Sequence, residues 1–300
     1  MTSQAASPDD AQELDSFGLT DQGKRRQRNE DQFLVATLQR SLAVNQTSLP
    51  TPKERITVLG KPDATLLMVA DGMGGTEAGD VASTIAVHSI ASYLCNVTPF
   101  KRRRPQGTMT GLSDGLREAL AMGEANIQDE ASAQELRMGT TMTIVYVLWP
   151  RMYVAHVGDS RCYLLRGDSL EQVTTDHTVA QRLADQGVEV GDASEMHHVL
   201  WNALGGEKKH EAEVCRIDLV RGDRVLLCTD GLTKHVSNDH ITTILRDGKT
   251  AEQCCRVLVD LANKGGGSDN ITAVVARVPG QSPDGDPTPT PRGGLFRPRM

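Results

Sequence analysis

The 300-residue sequence has few aromatic side chains and lacks long apolar runs. Phe, Trp and Tyr together make up 3% of the residues. No apolar run approaches the roughly 18–20 residues that a membrane-spanning helix needs, and the N-terminal residues lack the basic start and apolar stretch of a secretory signal. These absences predict a cytoplasmic protein that does not insert into a membrane.

The C-x-x-C pattern and a surplus of positive charge are also missing. Four of the 6 cysteines fall in apolar stretches, so we expect reduced, packed thiols. The net charge is -7, so no overall field would attract nucleic acid, and none is expected as a partner. For the basic run Lys101–Arg104, a solvated loop is favoured over a docking site for an acidic partner.

Both ends of the chain are low in apolar residues. Residues 1–12 are small and polar, and residues 280–300 are rich in Pro and Gly, so both segments are predicted to be disordered. The length between them is enough for a substantial core, and residues 13–279 are expected to fold as one domain.

The middle of the chain switches between strand-like and helix-like periods. Short β-rich runs end at Gly or Asp turns, whereas helical stretches at 78–94, 112–132 and 250–265 come in groups and not after every strand. This pattern predicts an α+β fold in which helices cover antiparallel sheets. Segment 151–173 alternates strand and turn, which predicts antiparallel pairing, and segment 37–64 is expected to be a surface loop or an extended hairpin.

Six carboxylates lie where apolar runs begin or end. A charge at the end of a buried strand is costly unless a cation neutralises it. Each acid taken alone is better explained as a turn former or a solvated strand end. Together, without His or Cys companions, they form a hard-oxygen set that favours magnesium or manganese over zinc. They are Glu30, Asp31, Asp71, Asp159, Asp230 and Asp269.

A glycine cluster and two arginines lie beside these acids. The glycines of DGMGG follow Asp71 and would let the backbone turn tightly and offer a carbonyl to a metal. The segment lacks the spacing and the lysine of a phosphate-binding P-loop. Arg25 and Arg26 precede the Glu30-Asp31 pair, where they would either balance surface charge or present a fork to a phosphate.

These pieces occur in the order of the protein phosphatase 2C family, which the chain resembles over residues 17–278. The motif R-x-x-x-E-D is matched by Arg26, Glu30 and Asp31. The further matches are D-G-x-G-G at Asp71 to Gly75, G-[ST]-T at Gly139 to Thr141, G-D-S-R at Gly158 to Arg161, D-H at Asp176-His177, A-L-G at Ala203 to Gly205, T-D-G at Thr229 to Gly231 and D-N at Asp269-Asn270.

The resemblance implies a four-layer α-β-β-α sandwich, in which two mostly antiparallel sheets are flanked by helices and a metal cleft lies at one edge. It implies two manganese or magnesium ions and a third, weaker site. By resemblance, Asp71 is catalytic and bridges both ions, and Arg26 is catalytic and binds the substrate phosphate. The other implied ligands are Asp230 and Asp269 for one ion, the Gly72 carbonyl with Glu30 and Asp31 for the other, and Asp159 with Asp230 for the third, supported by Asn270.

One position departs from many eukaryotic members of the family. They have a histidine two residues after the bridging aspartate, where this chain has Met73. The resemblance is therefore to the bacterial branch, in which a metal-bound water would have to protonate the leaving group. For His177 a structural role in a turn is favoured over catalysis, and residues 178–200 occupy the place of the family's variable flap.

The implied function is a metal-dependent protein serine/threonine phosphatase that hydrolyses phosphoserine and phosphothreonine with a hydroxide bridging two metal ions. The expected partners are phosphorylated proteins, with a serine/threonine kinase as a candidate, and the chain is expected to be a monomer. Cysteine-based phosphatase chemistry is disfavoured because no Cys lies in a Gly/Arg-rich loop. Two alternatives stay open: a phosphatase dedicated to a sigma-factor regulatory protein, and an inactive relative that binds phosphoproteins.

Overall fold

The computed structural model describes residues 14–42, 58–74, 78–97, 110–188, 191, 195–206 and 209–280. The predicted disordered ends, apart from Gly280, lie outside these ranges, as do Gly75 and the basic run Lys101–Arg104.

The strands form two sheets. In chain order they are β1 (Asp15–Asp21), β2 (Asp31–Leu42), β3 (Val58–Met73), β4 (Gly139–Thr140), β5 (Met142–Leu148), β6 (Arg151–Val157), β7 (Arg161–Arg166), β8 (Ser169–Gln172), β9 (Glu213–Asp218), β10 (Arg224–Cys228) and β11 (Ile271–Arg277). One sheet has the order β1-β11-β10-β7-β8, and the other has the order β2-β3-β5-β6-β9, with β4 paired to β3. The ladders between these strands are antiparallel.

Helices cover the outer faces of both sheets. They are α1 (Ala78–Val97), α2 (Thr110–Gln134), α3 (Val179–Asp185), α4 (Asp230–Thr233), α5 (Asn238–Asp247) and α6 (Ala251–Lys264), with a short 3-10 helix at Glu195–His197. Ser237 and Thr250 cap α5 and α6 by accepting a backbone hydrogen bond from the residue three positions on. Within the described residues, no helix combines the length and the apolar character needed to cross a membrane.

The continuous apolar run of β3 is explained by burial on both faces. Leu66, Met68 and Ala70 pack under α1 and α2, whereas Leu67 and Val69, on the opposite face, pack against the other sheet. Side chains alternate along a strand, so a strand that is covered on both faces shows no polar alternation. A third core lies between the first sheet and α5 and α6. The predicted α+β class and the four-layer arrangement are confirmed.

Segment 151–173 folds differently from its prediction in one respect. Strands β7 and β8 form the expected antiparallel hairpin, but β6 and β7 lie in different sheets. Gly158, at φ 111°, permits the turn that carries the chain from one sheet to the other. Met152 and Val154 of β6 therefore pack in the same inter-sheet core as residues of β7. This crossing places Asp159 at the edge of the sandwich, in the opening between the two sheets (the mouth).

The segment predicted as a surface loop or an extended hairpin belongs to a long hairpin. The ladder between β2 and β3 continues as far as Leu42 opposite Val58. Residues 43–57 lie outside the described ranges. Helix α5 and strand β9 have no counterpart in the sequence prediction.

Candidate metal centre and active-site cleft

Two of the six acids lie side by side at the mouth between the sheets. Along β3 the inward positions run Leu67, Val69 and then Asp71, and along β2 the inward residues Phe33 and Val35 share their face with Asp31. The ladder places Asp31 directly opposite Asp71. Because side chains alternate along a strand, the faces of β2 and β3 that are apolar between the sheets end in a pair of neighbouring carboxylates.

The facing sheet supplies hydroxyl groups to one of these carboxylates. Thr229 follows β10 and Thr272 lies in β11, each on the face that is apolar farther along its strand. Their Oγ1 atoms donate hydrogen bonds to Asp31 Oδ2 at 2.8 and 2.6 Å. Asp31 is thus held across the cleft by residues at the ends of two adjacent strands, β10 and β11, of the other sheet.

The remaining acids are brought to the same mouth by loops and strand ends. Asp159 lies in the crossing between β6 and β7, Asp230 begins α4 directly after β10, and Asp269 precedes β11. Together with Glu30 and Asp71, Asp230 and Asp269 line a cavity of about 530 Å³, which Asp159 also borders.

Burial at this mouth opposes the ionisation of several carboxylates. Desolvation, with Asp230 and Asp269 nearby, raises the pKa of Asp31 to about 7, although hydrogen bonds from Thr272 and Thr229 lower it. Desolvation and the charge of Asp230 likewise raise the pKa of Asp159 to about 7. The pKa of Asp71 lies well above its ordinary value because of burial and the surrounding acids. Fully ionised, the site would therefore carry more negative charge than its own basic groups neutralise.

The donor set fits hard divalent cations. Asp31 Oδ1 and Asp230 Oδ1 are buried oxygens without a hydrogen-bond partner, and such orphaned anionic atoms are costly unless an ion contacts them. The surrounding ligands are carboxylates, which suit magnesium and manganese. Among the described residues, no three His, Cys, Asp or Glu side chains are already gathered around one point as metal ligands.

Two basic side chains contact the group of six acids at the mouth, the acid cluster. Arg26 contacts Asp269 through a fork, with Nε 2.6 Å from Oδ1 and Nη2 2.9 Å from Oδ2. Lys234 Nζ lies 2.6 Å from Asp230 Oδ2 and 2.8 Å from Asp269 Oδ2. Burial alone would raise the pKa of Asp269, but the hydrogen bonds from Arg26 and Lys234 outweigh it and lower the pKa.

Backbone contacts fix the segment around Asp71. The Asp71 N–H donates to Thr141 Oγ1 and the Asp71 carbonyl accepts from the Thr141 N–H, both at 2.9 Å. At Gly72, an added Cβ would lie 2.0 Å from the Gly79 carbonyl oxygen. A side chain at Gly72 would therefore push α1 away from the site.

Asn270 ties the Arg26 loop to the acid cluster. Its Oδ1 accepts from the Glu30 N–H at 2.9 Å, and its Nδ2 donates to the carbonyls of Gln22 and Arg28 at 2.9 and 2.8 Å. Asn270 thus spans the loop that carries Arg26 and Glu30, which is consistent with a supporting role.

A second cavity adjoins the first beneath the predicted flap. Its volume is about 840 Å³, and it is lined by α3, by His197 and His198 and by Arg161 and Lys234. His198 and Lys234 line both cavities. The described part of the flap therefore forms one wall of a groove that leads to the acid cluster.

His177 is built into the base of the flap. Its Nδ1 accepts hydrogen bonds from the Gly158 N–H at 3.0 Å and from Asn202 Nδ2 at 2.9 Å, and its ring packs against Trp201. Burial lowers the pKa of His177 to about 4. A neutral ring that accepts at Nδ1 suits the predicted structural role.

His156 packs against the ring of His177, with ring centroids 4.8 Å apart, and is expected to make the fold sensitive to acid. Its Nε2 donates to the Thr175 carbonyl at 3.1 Å, and burial together with His177 lowers its pKa to about 3 from 6.5. Between these two values the unfolded chain binds one more proton than the folded protein, so stability is lost as the pH falls below 6.5. Because one pKa unit corresponds to about 1.4 kcal/mol, the expected loss reaches several kcal/mol.

Urea unfolding of the wild type and of His156→Gln across this pH window tests this expectation. The substitution should flatten the dependence of the unfolding free energy on pH, whereas the exposed control His240→Gln should leave it unchanged. Equal slopes in all three proteins would show that His156 is not held neutral.

Sequence reasoning did not single out several residues at this site. Lys234 follows the T-D-G motif, but nothing in its sequence context shows that it reaches two strand ends. Thr229 is named only as part of the T-D-G motif, without a role, and Thr272 is not named, because a hydroxyl in or beside an apolar strand is compatible with ordinary packing. The strand period offered a signal, since both lie on the inward face of their strands.

Comparisons with known proteins agree with this geometry. A family model described as Protein phosphatase 2C matches residues 55–266. The chain is 37% identical over 220 residues to the serine/threonine protein phosphatase PstP of Mycobacterium tuberculosis, a match that covers 72% of this chain and 40% of that protein. It is 33% identical over 219 residues to the serine/threonine phosphatase stp of Listeria monocytogenes, covering 72% of this chain and 85% of that protein.

The fold is also similar to a solved structure that contains metal. The catalytic domain of a serine/threonine protein phosphatase PstP, in complex with 2 manganese ions, matches with a TM-score of 0.66 and 32% sequence identity. The match covers 89% of this chain and 98% of that chain. In contrast, the match to the full mycobacterial PstP spans less than half of that protein's length.

Proposed function

Because the chain belongs to the protein phosphatase 2C family, we propose that it is a metal-dependent protein serine/threonine phosphatase. The observation that carries the proposal is the acid cluster, in which Asp31 Oδ1 and Asp230 Oδ1 are buried without partners. A cluster of this kind requires cations, and phosphate-monoester hydrolysis is the chemistry that paired divalent cations and a guanidinium fork jointly serve.

The acids divide into the ligand sets that the family pattern implies. Asp71, central in the cluster, would contact both of two manganese or magnesium ions, and Asp230 and Asp269 would hold one of them. Glu30, Asp31 and the Gly72 carbonyl would hold the other, and Asp159 would serve a weaker third site. When bound, the metal ions supply Lewis-acid stabilisation of phosphate charge and lower the pKa of water.

Arg26 would bind the phosphate of the substrate. Its guanidinium already holds the two oxygens of the Asp269 carboxylate in a fork, and two oxygens of a phosphate monoester present a similar pair of acceptors. The Arg26 side chain is 51% exposed, so it can reach a ligand that enters from solvent. Asn270 keeps the Arg26 loop in place through the three hydrogen bonds described above.

The leaving group receives no proton from Met73. Met73 lines the catalytic cavity, but its thioether has no proton to transfer. His177 is buried, and its Nδ1 is engaged by Gly158 and Asn202, which argues against a role as the general acid. Solvent in the cleft is therefore the proposed source of the proton on the serine or threonine oxygen.

The proposed substrates are phosphorylated proteins, and the flap at 178–200 is the proposed determinant of their choice. The groove beneath it joins the acid cluster through Lys234 and His198, so residues that flank a phosphoserine would lie against the flap. A dedicated sigma-factor regulatory substrate would use the same chemistry. The kinase partner, the cytoplasmic location and the monomeric state stay predictions.

A phosphopeptide assay tests the proposal. The purified chain with manganese should release phosphate from both phosphoserine and phosphothreonine peptides. A chain that binds these peptides without turnover would be the inactive binding relative, and one that hydrolyses a phosphorylated sigma-factor regulator but no peptide would be the dedicated phosphatase.

Arg26→Ala should lower kcat/KM for a phosphoserine peptide by roughly 10- to 150-fold, the range expected for a lost hydrogen bond to a charged group. Arg26→Lys should recover part of the loss because lysine has the charge but not the fork. The neighbouring Arg25→Ala serves as the control and should stay close to the wild type. Equal losses for Arg25→Ala and Arg26→Ala would show a general charge effect and contradict a specific clamp.

A further inference from the structure

Lys234 is placed by one turn of helix over the acid cluster. It follows α4, and its N–H donates to the Asp230 carbonyl at 2.9 Å. This i to i+4 spacing puts its side chain on the same face as the Asp230 side chain. Its Nζ contacts Asp230 Oδ2 at 2.6 Å and Asp269 Oδ2 at 2.8 Å, so one cation links two carboxylates that belong to different strand ends.

This ion pair differs from a surface salt bridge. The side chains of Lys234, Asp230 and Asp269 are 26%, 20% and 15% exposed. Exposed pairs contribute little because water screens them, whereas charges in a partly buried cluster interact more strongly. Lys234 therefore neutralises part of a negative charge that the fold would otherwise confine at the mouth of the cleft.

The contact also leaves the cluster incompletely neutralised. Asp230 uses Oδ2 for Lys234, while its Oδ1 is buried without a partner. A divalent cation bound by Asp230 and Asp269 would compete with Nζ for their oxygens and would be repelled by the ammonium charge. The same lysine would thus stabilise the protein without metal and weaken metal binding.

We propose that Lys234 is a tethered counter-ion of the metal site, which holds Asp230 and Asp269 together before metal binds and lowers their affinity for divalent cations. The inference rests on the proposed function because it takes these two acids to be metal ligands. Lys234 would then set the concentration of divalent cation at which the site fills.

Titration of the metal-free full chain with manganese, followed by isothermal calorimetry, measures this effect without relying on activity. Lys234→Met keeps the length of the side chain and removes its charge, so it should bind manganese about tenfold more tightly than the wild type. Lys234→Arg keeps the charge and should stay close to the wild type. Lys264→Met removes an exposed lysine that pairs with Asp260 on α6 and should also bind manganese like the wild type.

Thermal melting supplies the second readout. Without metal, Lys234→Met should unfold at a lower temperature than the wild type, and saturating manganese should remove the difference. Lys234→Gln, which keeps a donor without the charge, repeats the titration in case the Met variant does not fold.

The outcomes distinguish a failed counter-ion role of Lys234 from a failed metal-dependent function. Manganese affinity in Lys234→Met or Lys234→Gln that equals or falls below that of the wild type overturns the counter-ion role. If, in addition, the KM for a phosphopeptide rises, Lys234 acts on the substrate instead. If neither the wild type nor any variant binds manganese, the proposed metal-dependent function fails, independently of Lys234.

Discussion

Asp71→Asn is expected to lower the turnover of a phosphoserine peptide by more than about a hundredfold, since removing groups that merely orient a metal ligand already costs 10–100-fold. Asp71 lies beside Asp31 in the ladder, and burial together with the charges of Asp31, Asp230 and Asp159 raises its pKa. An asparagine keeps the shape but loses the anionic oxygen that two cations would share. Phosphate release at saturating manganese measures the loss.

The same variant should remain folded, which separates a lost ligand from a lost structure. Without metal, an ionised Asp71 adds like-charge repulsion to a buried cluster, so the neutral amide should match or exceed the stability of the wild type in chelator. Asp239→Asn, an exposed change on α5, is the matched control for both measurements. Near-normal turnover of Asp71→Asn at saturating manganese would remove Asp71 from the ligand set.

The parts of the fold that follow from the sequence are those in which local patterns and tertiary burial agree. The run TLLMVADG predicts a strand because every position from Leu66 to Ala70 is apolar, and the structure buries Leu66 and Leu67 on opposite faces. Helical spacing predicts a helix over 250–265, and the structure places α6 there, with Thr250 as its cap. In contrast, β9 (EVCRID) mixes charged and apolar residues, and its partly exposed edge position lacks a clear pattern.

The crossing at Gly158 shows why topology was harder to predict than strand position. A short turn between two apolar strands is compatible with a hairpin or with a passage from one sheet to the other. The choice depends on which faces are buried, and β6 and β7 both contribute side chains to the core between the sheets. That crossing creates the position of Asp159, so the sequence indicated the acid but not the path that brings it to the site.

The sequence points to the acids of the candidate site and to Arg26, but not to Lys234. A carboxylate at the end of an apolar strand is conspicuous because burial makes it costly. Lys234 and the Asp31-binding hydroxyls of Thr229 and Thr272 have ordinary roles in most contexts, and their contacts join residues far apart in the chain. The role of the two hydroxyls appears only when the two sheets are placed face to face, and that of Lys234 only when β10 and β11 lie side by side in one sheet.

Removal of metal by a chelator is expected to abolish turnover and to destabilise the protein more at high pH than at low pH. The pKa values of Asp31 and Asp159 are raised to about 7 from 3.8 by burial and neighbouring acids. Between these values the folded, metal-free protein binds more protons than the unfolded chain. Its stability is therefore present at low pH and is lost as the pH rises through about 7.

Bound cations reverse this pH dependence of stability because they favour ionised ligands. The affinity for metal therefore rises as the ligands lose protons. The gap in melting temperature between manganese and chelator should therefore be wider near pH 8 than near pH 6. Taking the gap at each pH cancels the opposite contribution of His156, whose pKa is lowered. Melting curves in both buffers, with turnover measured after manganese is restored, provide the test. Two results would contradict a metal site in which bound cations keep the buried carboxylates of Asp31 and Asp159 ionised. One is full turnover in excess chelator, and the other is a melting-temperature gap that narrows as the pH rises.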